Sequence, residues 1–372
     1  MAWVKRLAKE YPLWAALVSV VIAYMMGAGF TIDETLVDSF PGPWAGFGLF
    51  AWLFIIILWA ASSVVAHAEY LAHKYGEPYG TLILTLSVVI IEVIMIAVVM
   101  LHEENNPTFA RDTLFTLLIL MMNVMIGLPI LVGGLKHGEQ RYNLKSSETY
   151  FSVILCFVGL GLFMPAAIEP TYVDTYELFL ILACGALYAV FLRIQTKEHR
   201  YFFVFEPTKA AKEVTDEEAH AKGESALFHI IVLIVVLCLL AFLSKSMAIV
   251  TDRAVKDLDA PQALGALVVA VLILTPEALT SLRAGLNNEA QRVVNIGLGS
   301  ALSTMGLTIP TVLIIGLATG HPVNLALTPV QMILLGLTLL VGIVSYRRGE
   351  TNVLMGMIHM VLFATFAVLI FM

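Results

Sequence analysis

Charge is scarce in this sequence: 13% of its 372 residues are Asp, Glu, Lys or Arg, where a soluble domain carries about 25%. Cysteine is scarcer still. Cys156, Cys184 and Cys238 each lie inside an apolar run, and none makes a C-x-x-C pair. That excludes a disulfide framework and a cysteine metal site, and leaves the three as packing residues. There is no basic stripe, and the formal net charge is −7, so nothing points to nucleic acid. Apolar residues fill the space, at 59%. Runs such as Phe47–Ala61 and Ile230–Leu243 have no polar face. A large soluble helical protein would need one at helical period.

A bilayer crossing takes about 20 apolar residues. On that rule the sequence predicts an all-α polytopic membrane protein with about 11 transmembrane helices. They fall near Tyr11–Phe30, Trp44–His67, Gly80–Leu101, Thr113–Leu135, Thr149–Ile168, Tyr176–Gln195, Ala226–Ile249, Ala260–Arg283, Arg292–Thr319, Thr328–Tyr346 and Val353–Phe371. The first, preceded by Lys5, Arg6 and Lys9, is long for a signal peptide and reads as a retained helix. Placing the N-terminus in the cytoplasm puts Lys74, the Lys136–Lys145 loop, the Lys197–Lys222 segment, Arg283, Arg292 and Arg347–Arg348 on the same side. The other side keeps Arg111, Lys245, Arg253 and Lys256. This asymmetry sets the expected orientation, with the N-terminus cytoplasmic and the C-terminus external.

An internal repeat organises the chain. Gly80 precedes Glu92 by the same 12 residues that separate Gly265 from Glu277. In the following helices "NVMIGLP", ending at Pro129, matches "TMGLTIP", ending at Pro310, and pairs Asn123 with Thr304. The expected divisions are 1–43, an N-terminal segment with a leading helix; 44–195, a first five-helix repeat; 196–225, an acidic cytoplasmic linker; and 226–372, a second five-helix repeat. Five is odd, so the two repeats enter the membrane from opposite sides. Secondary transporters use such inverted repeats and place their site at the repeat interface near the midplane. Glu92 and Glu277 are therefore expected to face each other there. The linker mixes Glu213, Asp216, Glu217 and Glu218 with Lys209, Lys212 and Lys222, which reads as a solvated connection rather than a cation sensor.

Glu92 and Glu277 stand deep in apolar spans. Ionised carboxylates there are expensive and mark ion or proton pathways. One alone could be a protonated group bonding two helices; two at matching repeat positions point to function. Thr81 and Thr85 share a helical face with Glu92, and Pro276 directly precedes Glu277. A proline inside a span frees a carbonyl one turn earlier, and an unwound carbonyl is a ready cation ligand. Ser300 and Thr304 lie four residues apart, and Asn123 shares a face with Thr116. Glycines 127, 297, 299 and 306 would let helices approach closely. The candidate metal site is thus Glu92, Glu277, Asn123, Ser300 and Thr304, with Glu92 and Glu277 as the proton-coupling pair. An all-oxygen set suits hard cations such as Ca²⁺.

Other motifs carry less. "HEENN" from His102 lacks the second histidine of H-E-x-x-H. Glu69 and His73 read as a surface pair, with proton entry as the alternative. His359, in the last span, reads as a packed neutral histidine.

The stretches "GEPYGTLILTLSVVIIEV" and "ALGALVVAVLILTPEALTSLRAGLNNEAQRVVNIGLGSALSTMGLTIP" resemble the two α-repeats of the calcium/cation antiporter superfamily. They are most similar to its bacterial ChaA-type branch of calcium/proton and sodium–potassium/proton antiporters, and the resemblance covers nearly the whole chain. It implies that the matching acidic residues bind the cation and exchange protons. It also implies that the segment after each glutamate helix completes the site. The chain departs from the calcium/proton pattern G-N-x-x-E: Val88-Val89 and Ile273-Leu274 stand at the Gly and Asn places. Thr304 stands where sodium/calcium exchangers often carry an acid.

The expected function is secondary active exchange of a metal cation for protons by alternating access, Ca²⁺ first, with Na⁺ and K⁺ open. A water-poor pair of carboxyls holds protons when empty and loses them to a cation. Exchange follows if the loaded forms switch access and the bare charged form does not. A cation channel or uniporter on the same acidic site is the alternative. An intramembrane enzyme has no supporting motif. No cofactor is expected. The expected partners are inorganic cations, protons and the lipid bilayer, not nucleic acid, and a homo-oligomer stays open.

Overall fold

A computed structural model describes residues 7–23, 43–75, 79–102, 107–203, 225–261 and 263–372. Most of the linker and residues 103–106 of the "HEENN" motif lie outside the described residues. In chain order the helices are α1 (Tyr11–Ala23), α2 (Pro43–Tyr75), α3 (Tyr79–His102), α4 (Phe109–Ile119), α5 (Gly127–His137), α6 (Leu144–Val158), α7 (Val173–Arg193), α8 (Ala226–Asp257), α9 (Ala263–Leu286), α10 (Ala290–Ser303), α11 (Ile309–Thr319), α12 (Pro329–Ser345) and α13 (Val353–Ile370). π-Helical turns at Leu120–Met125 and Thr304–Thr308 join α4 to α5 and α10 to α11. Each pair therefore runs as one rod.

Eight of the described helical segments are long and apolar enough to cross a membrane, and three shorter apolar helices accompany them. The protein is an all-α polytopic membrane protein. Two helices overrun their expected ends: α2 reaches Tyr75 rather than His67, and α8 reaches Asp257 rather than Ile249. Counting apolar residues sees only the bilayer stretch. The added turns of α8 carry the i,i+4 pairs Lys256–Asp252 and Arg253–Asp257, which support a helix in water. Elsewhere polar caps set the starts. Asn143 and Asn352 accept backbone N–H groups at α6 and α13, and Thr328 forms a capping box with Gln331 at α12.

The chain divides into two compact units built from interleaved stretches, 1–103 with 208–276 and 104–207 with 277–372. In the first, α8 packs along α2, and α3 packs on both. A buried polar join ties these helices to the turn before α1. His67 Nδ1 lies 2.8 Å from His229 Nδ1, and His67 Nε2 lies 3.2 Å from Glu10.

In the second unit the rods 109–137 and 290–319 form the interior. Their apolar windows are 78% and 67% buried, against 22–44% for the other six spans. Helix α5 is lined with small residues that let backbones meet. A Cβ on Gly127 would fall 2.6 Å from His359 Cβ, and one on Gly134 would fall 2.8 Å from Val353 N. On the other side Gly285 of α9 rests against the Pro129 carbonyl. One feature departs from an all-helical expectation: β1 (Gln140–Arg141) pairs antiparallel with β2 (Glu350–Thr351). It ties the loop after α5 to the loop before α13.

Candidate functional site

Glu277 lies one residue past Pro276 inside α9. The expected unwinding does not occur, and the helix is continuous through the proline. The Thr275 hydroxyl donates to the Val271 carbonyl at 2.6 Å, one residue before the Leu272 carbonyl that Pro276 leaves without its helical N–H. Across the short turn to α10, Ser300 Oγ donates to Glu277 Oε2 at 2.7 Å. A hydroxyl bonded to a carboxylate at this distance is a charge-assisted contact. Both side chains are half-buried. Thr304 follows Ser300 by one helical turn, opens the second π-turn and is buried.

Asn123 sits in the first π-turn, fully buried. The two residues paired by the repeat thus stand on matching backbone features. π-Turns insert one residue into the helical ladder, redirect neighbouring groups and concentrate at functional sites. Sequence spacing found the pair but not the turn, because no residue type signals a π-turn. The Ser281 hydroxyl of α9 donates to the Met125 carbonyl at 2.7 Å, which fixes the first π-turn against the Glu277 helix.

The Asn123 side chain is held at both ends. Its Nδ2 donates to Thr338 Oγ1 at 3.2 Å, and His359 Nδ1 lies 3.0 Å from its Oδ1. An amide oxygen only accepts, so His359 Nδ1 carries the hydrogen. His359 was expected to be a packed neutral histidine; it is packed, and it is also bonded to a candidate site residue. Sequence offered no signal for this, since Asn123 and His359 are 236 residues apart.

Glu92 stands on α3 and is 1% exposed. It belongs to the first unit, and the other four candidates belong to the second. The side chains of Thr81 and Thr85 lie outside the described residues. Of the glycines expected to allow close approach, Gly297 meets the Ile126 side chain, Gly127 meets His359 and Gly306 meets Tyr188. Gly299 has ordinary room, with Tyr150 at 3.6 Å. Among the described residues no three His, Cys, Asp or Glu side chains group as a metal site.

The chain matches the model of the sodium/calcium exchanger protein family over residues 45–197 and 228–372. It is 35% identical over 369 residues to the sodium-potassium/proton antiporter ChaA of Escherichia coli (strain K12), covering 99% of this chain and 98% of that one. It is 36% identical over 315 residues to the putative ionic transporter y4hA of Sinorhizobium fredii (strain NBRC 101917 / NGR234), covering 83% and 85%. Its fold is similar to that of the Ca²⁺/H⁺ antiporter protein YfkE, with a TM-score of 0.71, 16% identity and coverage of 97% and 98%. Two glutamates at matched positions, the paired π-turns and a family match over both repeats converge: the chain belongs to the sodium/calcium exchanger protein family.

Proposed function

We propose that this protein exchanges a metal cation for protons by alternating access, with Glu92 and Glu277 coupling the two. Asn123, Ser300 and Thr304 supply neutral oxygens. The observation that carries this reading is the Glu277–Ser300 pair, a carboxyl inside a span with a hydroxyl donor at 2.7 Å. Taking a carboxylate out of water penalises its charged form, so an empty site keeps a proton and a bound cation displaces it. Ser300 lowers the cost of the charged state that the cation needs.

Two carboxylates with hydroxyl and amide oxygens form a hard-cation set, which favours Ca²⁺. Only two of the five donors are charged, and this keeps Na⁺ and K⁺ within reach. A relative named for sodium, potassium and protons and a fold neighbour named for Ca²⁺ and protons support the same range. We place the protein in a bacterial inner membrane on its similarity to bacterial transporters, with the N-terminus cytoplasmic and the C-terminus external on the asymmetry of Lys and Arg. We read it as a transporter, not an enzyme.

The test is transport into proteoliposomes with an imposed pH gradient and a panel of Ca²⁺, Na⁺ and K⁺. Cation movement should follow the proton gradient and reverse with it. Movement that ignores the gradient would replace this reading with a channel or uniporter on the same carboxylates.

A further inference from the structure

Asn123 is a weak ligand unless its amide is aimed. A free asparagine turns about its terminal bond and presents oxygen or nitrogen with little preference. Here both ends are committed, Oδ1 to His359 and Nδ2 to Thr338. An amide oxygen has two lone pairs, and His359 uses one. The other is left pointing in a fixed direction.

The fold makes room for this arrangement. Gly127 follows Asn123 by four residues, one turn on in sequence, and α5 begins there. It has no side chain where the His359 Cβ passes, so the imidazole reaches past it to Asn123. His359 is 0% exposed, and its Nε2 has no hydrogen-bond partner among the described residues. The ring is therefore held by the Asn123 bond and by packing. Burying an imidazole with one nitrogen unpaired is costly, and a purely apolar side chain would avoid that cost.

We propose that His359 is a positioning residue of the ion site: with Thr338, it fixes the Asn123 amide so that its oxygen faces the transported cation. The inference rests on the proposed role of Asn123 as a ligand. It assigns function to α12 and α13, which carry none of the five candidate ligands. Metal sites commonly depend on such partners to orient their ligands.

The experiment is a double-mutant cycle on cation binding and exchange, using the full chain. His359→Leu should raise the apparent KM for the cation about tenfold, the equivalent of about 1.4 kcal/mol, while kcat stays within about twofold. His359→Asn places an amide N–H near the lost Nδ1–H and should restore most of the affinity. In an Asn123→Ala background, His359→Leu should add nothing, because the group it positions is gone. If His359→Leu does not fold, the near-isosteric Thr338→Val reads the same cycle from the other end of the amide. Additive effects, or a loss confined to kcat, would overturn the proposal. Calorimetric titration of the solubilised protein with Ca²⁺ and with Na⁺ separates the two readings. A wild type that binds cations but shows no coupling sinks only the positioning role. One that binds but does not exchange them for protons sinks the antiport reading and leaves the cycle interpretable.

Discussion

Glu92 and Glu277 occupy matching places in the two repeats and live in different surroundings. Glu92 is 1% exposed on an uninterrupted helix. Glu277 is half-buried, follows a proline and takes a hydrogen bond from Ser300, 23 residues on. The helices that follow repeat the contrast. Asn123 is served by α12 and α13, more than 200 residues away, whereas Ser300 belongs to the helix next to Glu277. Matched sequence spacing thus does not bring matched polar partners for Asn123 and Ser300. The Glu277–Ser300 bond joins two helices adjacent in the chain. Asn123 instead depends on the last two helices.

The strongest way to break this comparison is to neutralise each glutamate in turn. Glu92→Gln and Glu277→Gln keep shape and remove the titrating group. Each should lower proton-coupled exchange by at least about 100-fold, within the span of general acid–base effects, with insertion unchanged. Vesicle flux under a pH gradient measures this; near-normal exchange in either variant would restrict coupling to the other repeat.

Ser300→Ala tests whether the local bond matters. Losing a hydrogen bond to a charged group costs about 1.5–3 kcal/mol, so cation affinity should fall by roughly tenfold or more. Unchanged affinity would make Ser300 a packing residue. Thr304→Asp makes the copies less alike by adding a hard anionic ligand, and a divalent ion gains more from it than a monovalent one. The ratio of apparent Ca²⁺ to Na⁺ affinity should rise about tenfold, a shift of about 1.4 kcal/mol. A constant ratio in a folded variant would place Thr304 outside the ligand shell.

The smallest effects come from packing. Gly285→Ala would drive a methyl into the Pro129 carbonyl and should destabilise by about 1–3 kcal/mol, the usual cost of overpacking. Gly299→Ala meets Tyr150 at an ordinary 3.6 Å and should be silent. Thermal unfolding in detergent compares the two; equal melting temperatures would mean that α5 and α9 can separate at no cost.

Sequence alone determined the membrane class and the approximate spans, because both are written in local composition, and it marked the two glutamates by their matched spacing. Apolar length is set by the bilayer, and a carboxyl inside an apolar run stands out whatever the fold. Sequence also paired Asn123 with Thr304, and Glu277 with Ser300 as members of one site. Tertiary structure decided the rest. The π-turns arise from backbone packing that no residue type announces. The proline was expected to free a carbonyl in α9, and the helix stays continuous through it all the same. His359 joins Asn123 because Gly127 clears a path between α5 and α13, and Thr338 meets the same amide from α12. A lone histidine in an apolar helix carries no mark of which distant amide it will meet.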